Sequence, residues 1–447
     1  MLTLFDGILG LFYSILLLGL GWIHKNNQLA KGYSNYKYYF PSLLAHIFGV
    51  IVFCLVYGLY YGGGDSYYYF RGGKSLVEMF FLFPSDTVKV YFHSINSVPD
   101  NLRYITYWFN GVDSNDSFLT MKFASVFSLF GLNSFLCSSI LLSFFSFLAN
   151  WYLFKVINSS LFRSGYSCSK LYFILFIPSL LFWGTGILKD TFVFIFSSCV
   201  FIYGVLYFSE KRNKRSLKFF FSSILIILFS NFILELKAYV FYTLLISFLL
   251  GFYTDLINIS SISKSNRLVA NILNITFIIV VILLIFLGFQ SFQNEILKAQ
   301  EEAILTIQGF HSWHTILGGS SYSLGITDYT AFGILSKSPL AFLVTYFGPF
   351  PWQIKSPIML FTALESYFFF YLFIKAIINR KYRILFAQVN NSLLKFAIIF
   401  SIIFGVLVGI TSYNYGALAR FKIQSLPFFL LWILSFEKIY NNGKSLK

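Results

Sequence analysis

The chain has 447 residues, of which 57% are hydrophobic, 22% aromatic and only 11% charged. So little polar surface cannot coat a soluble globule, which excludes a water-soluble enzyme and points to a bilayer as the solvent. The formal net charge of +16 would suit nucleic acid, but the basic residues gather in short connections at 25–37, 155–170, 211–218, 264–267, 375–395 and 438–447. That is the positive-inside pattern of a cytoplasmic face, so no nucleic-acid partner is expected.

Apolar runs of about 17 to 25 residues, each long enough to cross a hydrocarbon core as a helix, recur along the chain. The first has no positive segment before it and no small-residue cleavage pattern after it, Lys25 being the first positive residue. It is expected to be a retained span rather than a cleaved leader. In chain order the expected spans are 5–23, 41–62, 134–156, 171–188, 190–208, 218–236, 238–254, 268–290, 357–378, 393–411 and 424–437. The predicted fold is therefore all-α: a polytopic helical integral membrane protein with about eleven transmembrane helices in one transmembrane domain, 1–447. The charge bias puts its N-terminus outside and its C-terminus in the cytoplasm.

Two further apolar segments, 118–131 and 338–352, would break that parity and are expected as re-entrant or interfacial helices on the outer side. The remaining extracytoplasmic loops, 63–117 and 291–337, are too long to be mere connectors. The second opens with "FQNEILKAQEEAILTIQ", a helical pattern, and turns into the breaker-rich "GFHSWHTILGGSSYSLG".

The unusual polar residues then fall on the outer face of this topology. In "YYGGGDSYYYFRGG", Asp65 and Arg71 follow the second span behind three glycines that permit a sharp turn and close approach of a ligand. A carboxylate there suits a general base or a divalent cation; the same residues also suit an ordinary loop with an interfacial tyrosine belt. Lys189 and Asp190 form a turn in "PSLLFWGTGILKDTF", and Glu235 and Lys237 another in "NFILELKAY". Each pair is either a solvated interfacial pair or part of a site. Glu365 lies within the ninth expected span, about 12 Å along the helix axis, where a carboxylate needs a partner or a water-filled cavity. Arg420 and Lys422, in "YNYGALARFK", are cations suited to phosphate oxygens or to headgroup anchoring. His311 and His314 lie three apart, but Gly309 and the neighbouring serines argue against a helical metal pair. The catalytic candidates are thus Asp65, Asp190 and Glu365. The candidates for binding a pyrophosphate or glycan are Arg71, Lys189, Lys237, His311, His314, Arg420 and Lys422.

The four cysteines, Cys54, Cys137, Cys168 and Cys199, have neither metal-ligand spacing nor a disulfide framework. No phosphate-binding G-K-[ST] loop, H-E-x-x-H, G-x-S-x-G or dinucleotide fingerprint occurs. Carboxylates, cations and aromatic rings at an outer mouth suit a lipid-pyrophosphate sugar donor: a base for the sugar hydroxyl, cations for the departing phosphate, rings to stack on the pyranose.

The acid in "GGGDSYYYF" resembles the catalytic-loop acid of integral-membrane glycosyltransferases of the GT-C type. The set "PSLLFWGTGILKD", "FGPFPW" followed by "ALES", and "YNYGALARFK" is similar to bacterial O-antigen and exopolysaccharide polymerases. The resemblance covers most of the chain through short motifs only, and no clear D-x-D or E-x-D pair marks the first loop. It implies a bacterial inner-membrane protein that acts on a polyprenyl-pyrophosphate-linked sugar or glycan. Asp65 would be base or ligand to a Mg or Mn ion, Arg420 with Lys189 would hold the pyrophosphate, and the partners would be membrane lipid and other polysaccharide-assembly membrane proteins. A lipid-linked oligosaccharide flippase or a solute carrier is the competing expectation, since broken helices and intramembrane charge suit transport as well.

Overall fold

Long apolar runs close their own backbone hydrogen bonds by coiling, and the computed structural model shows this from the first turn. It describes residues 3–106, 114–164, 168, 170–209, 217–259, 320–325, 336–355, 357–378, 391–412 and 414–435, with single positions between 279 and 333. Helix α1 (Leu4–Ala30) starts at Thr3, whose hydroxyl accepts from the Asp6 N–H while the Asp6 carboxylate accepts from the Thr3 N–H. This reciprocal cap satisfies two of the N–H groups that a helix start leaves open. Phe5, Ile8, Leu11, Phe12 and Ile15 of α1 are all exposed and give the helix an apolar surface.

There follow α2 (Tyr39–Leu55), continued by one wider turn at Val56–Tyr60; α3 (Asp65–Leu82); α4 (Pro84–Tyr91); the single turn α5 (Arg103–Thr106); α6 (Asn115–Phe130); α7 (Phe135–Arg163); α8 (Pro178–Trp183); α9 (Lys189–Ser209); and α10 (Leu217–Ile259). After residues outside the description come α11 (Ser338–Phe347), α12 (Pro357–Ile378), α13 (Ser392–Thr411), α14 (Tyr415–Phe421) and α15 (Leu426–Ser435). The described residues form no strand, only the isolated pairing of Ser321 with Asn414. The all-helical expectation holds.

Seven of the described helices are long and apolar enough to cross a membrane, eight if the pair Tyr415–Gln424 and Leu426–Ser435, bent by 71°, is one span. Eleven were expected, and the difference falls at three places. The run 171–188 is not one helix but a 3₁₀ segment, Leu171–Phe176, followed by the short α8, because Pro178 cannot donate to a preceding turn. The runs 218–236 and 238–254 join in α10, which is broken at Lys237 (φ −153°, ψ 84°). The expected span 268–290 and the helical pattern that follows it lie outside the described residues, apart from single positions. The stretch 63–117, expected as a loop, contains α3, α4, α5 and the start of α6.

The chain divides into two compact units. The first comprises residues 1–153, 180–200 and 228–237, and the second 154–179, 201–227 and 238–447. In the first, Tyr36, Tyr39, Phe147 and Trp151 pack as an edge-to-face cluster, and Phe123, Phe196 and Phe232 form another. Helices α3 and α6 touch at backbone distance: a methyl group at Gly73 would lie 2.7 Å from the Ser125 amide nitrogen. In the second unit Tyr346 stacks on Phe429 with ring centroids 3.8 Å apart, beside Phe342 and Trp432. Offset or tilted rings of this kind gain about 0.5–1.5 kcal/mol per pair beyond the area they bury.

Candidate functional site

The first unit gathers charged side chains from three separate stretches of chain. The turn "GILKD" is fixed by one hydroxyl: Thr191 Oγ1 donates toward the Trp183 carbonyl (3.1 Å) and the Gly186 carbonyl (2.7 Å), while the Leu188 N–H donates to Gly186. This fastening places Lys189 and Asp190 in the first turn of α9, facing different partners.

Asp190, 2% exposed, accepts a 2.6 Å bond from Lys237, 10% exposed. The break in α10 at Lys237 is what carries that ammonium out of helical register. Lys189 is paired with Asp116, near the start of α6. Burial pushes the Asp116 carboxyl up, but the Lys189 charge and hydrogen bond, with Ser114 and the Ser117 N–H, outweigh it and hold the group below its ordinary range.

One and a half turns further along α6, Lys122 donates to the carbonyls of Tyr91 (3.1 Å) and His93 (2.6 Å). Burial pushes its amine down to about 8, partly offset by the Glu235 carboxylate. The result is a group of three ammonium and three carboxylate side chains, Lys122, Lys189, Lys237, Asp116, Asp190 and Glu235, set where α6 and α9 begin and α10 breaks.

The sequence had singled out Lys189, Asp190 and Lys237, and the structure brings Asp190 and Lys237 into direct contact. It adds Asp116 and Lys122, which were not foreseen because nothing near them in the chain reveals their partners. The only local signal is an acid in the first turn of an apolar helix with a lysine six residues on.

The other expected residues are placed differently. Asp65 is the exposed first residue of α3, following Gly64 at φ +97°, a conformation open to glycine. The carboxylate there complements the helix dipole. Arg71 is exposed and lies over the Tyr67 ring at 5.7 Å. In the second unit Glu365 and Lys422 are both buried, and Arg420 lies over the Phe421 ring at 5.2 Å. His311 and His314 are outside the described residues.

Among the described residues no group of three His, Cys, Asp or Glu side chains is arranged for a metal ion. Asp116 and Asp190 are each matched to a lysine, a donor set that balances charge between side chains and does not fit a hard divalent cation.

Fold and site together define an all-helical protein with several helices of membrane-spanning length and a clustered ionic site at helix ends. No family model, curated protein or solved structure matches the chain.

Proposed function

We propose that the protein is a membrane glycosyltransferase or polysaccharide polymerase that uses a sugar or oligosaccharide carried on a polyprenyl pyrophosphate at the extracytoplasmic face of a bacterial inner membrane. The observation that supports it is the cluster in the first unit, in which Lys122, Lys189 and Lys237 are held close to carboxylates by two ion pairs and two carbonyl bonds.

Lysines held in this way are prepositioned for phosphate oxygens, and in a water-poor site their stabilisation of a departing pyrophosphate acts on the transition state. Asp116 is 32% exposed and Lys189 16%, so this ion pair is more accessible than that of Asp190 and Lys237. When Lys189 turns to a phosphate, the Asp116 carboxylate is released to accept the proton of an attacking sugar hydroxyl. Asp190 positions Lys237 and stays buried.

The test uses the purified full-length protein in lipid with a polyprenyl-pyrophosphate-linked repeat unit, read as growth of the lipid-linked glycan. D116N and K189M are expected to lower the rate at least 100-fold while the folded fraction is unchanged. Absence of any extension by the wild type overturns the proposal.

A second reading, a lipid-linked oligosaccharide flippase, is favoured by the break in α10, since discontinuous helices recur at carrier sites. Transfer of the intact lipid-linked glycan across proteoliposomes without extension would decide for it.

A further inference from the structure

The second unit holds an ionisable pair of a different kind. Glu365, 5% exposed, lies within the apolar α12. Its Oε2 accepts a 2.5 Å bond from the Ser179 N–H, and its Oε1 has no hydrogen-bond partner among the described residues. Lys422, fully buried at the bend before α15, donates to the Ser366 hydroxyl at 3.3 Å, and that hydroxyl donates to the Gly348 carbonyl at 2.7 Å. Carboxyl and amine lie near enough to interact electrostatically, yet no ion pair joins them.

Of the other titratable or charged groups on the neighbouring elements, three are engaged elsewhere. The Tyr346 hydroxyl bonds the Ser401 carbonyl and the Ser425 hydroxyl, the Tyr415 hydroxyl bonds Gln353, and Arg420 covers Phe421. Tyr367, two residues on from Glu365, has a hydroxyl without a partner. Among the described residues Lys422 is the charged group that acts on Glu365, and the Ser179 N–H bond favours the same charged form.

We propose that Glu365 and Lys422 form a proton-binding site within the apolar core of the second unit, in which the open Glu365 oxygen takes up and releases a proton beside the Lys422 amine. Two full charges buried apart are each costly, whereas a carboxyl that binds a proton removes one of them without moving the chain. Asp190 in the first unit, by contrast, accepts directly from Lys237. The site does not depend on the transfer reaction proposed for the first unit.

The test is modification of the full-length protein in detergent micelles with dicyclohexylcarbodiimide, an apolar reagent that reacts only with protonated carboxyls. The carboxyl proton passes to a carbodiimide nitrogen as the carboxylate oxygen bonds to the central carbon, so the adduct keeps every atom of both reactants and is read by peptide mass mapping. Glu365 is expected to label, increasingly as pH falls from 9 to 6, and E365Q to remove that adduct. K422Q is expected to raise labelling about tenfold at a given pH in the transition region, because loss of the cation favours the protonated acid, while K422R is expected to label as the wild type does.

No adduct at Glu365 at any pH, with exposed acids such as Asp65 modified by a water-soluble carbodiimide, overturns the proposal; so does labelling independent of pH, or a K422Q profile equal to that of the wild type. Should the lysine variants fail to accumulate, the pH profile of the wild type decides alone.

Discussion

The two units use nearly the same ingredients, carboxylates and lysines among apolar helices, and arrange them in opposite ways. In the first, Asp190 and Lys237 touch at 2.6 Å, so each charge stabilises the other. In the second, Glu365 and Lys422 are also buried, yet are held apart, the acid by a backbone N–H and the amine by a hydroxyl. Contact sets opposite charges against each other, while separation leaves one Glu365 oxygen without a partner among the described residues. The difference suits the first cluster to holding a charged ligand in place and the second to answering proton activity.

Removing one partner of the contact pair has the largest expected effect. D190N or K237M strands a buried charge and is expected to cost about 3–5 kcal/mol, whereas the double variant D190N/K237M recovers most of the loss. Unfolding of each variant in the same detergent measures this; equal losses in single and double variants would mean that the contact is not what holds Asp190.

A smaller effect sharpens the account of the first cluster. Lys122 titrates near 8, below the ordinary lysine value, so its charge is present below that pH and lost above it. Binding of an anionic lipid pyrophosphate is expected to weaken several-fold between pH 7 and 9, and the drop to disappear in K122R, read as ligand affinity against pH. The stability consequence has the opposite sign: the buried cation is unfavourable in the folded state, so its contribution improves as pH rises from about 8 toward the unfolded value near 10.4.

The smallest effect is the control. Lys74 and Glu78, 3.9 Å apart with side chains 44% and 53% exposed, are expected to change stability by less than about 0.5 kcal/mol when Lys74 is replaced by alanine.

The helical class and several spans were legible because a long apolar run has only one way to satisfy its backbone in lipid; 357–378 and 393–411 fall almost residue for residue on α12 and α13. The stretch 63–117 was illegible for the same reason in reverse. Its helices carry glycine, tyrosine and charge and bury through close backbone contact, as at Gly73, not through a continuous apolar face.

Within the site, the Lys189 and Asp190 pair stood out as charge between two apolar runs, and Glu235 with Lys237 likewise. Their partners did not, because Asp116 lies 73 residues before Lys189 and Asp190 lies 47 before Lys237. Adjacency suggested that Glu235 and Lys237 answer each other; the break in α10 instead turns Lys237 to Asp190. The glycine turn before Asp65 was legible as a turn, but what it delivers is the start of a helix.

Lys189 and Asp190 stand side by side with opposite sign, one answered by an acid and the other by a base. Were α9 to slide along its neighbours by a single position, about 100° of rotation, either Lys189 would meet Lys237 or Asp190 would meet Asp116, according to the direction of the slide. Two adjoining letters thus work as a notch that rejects the nearest wrong seating of the helix during insertion, a safeguard that the smooth, interchangeable phenylalanines around it cannot provide.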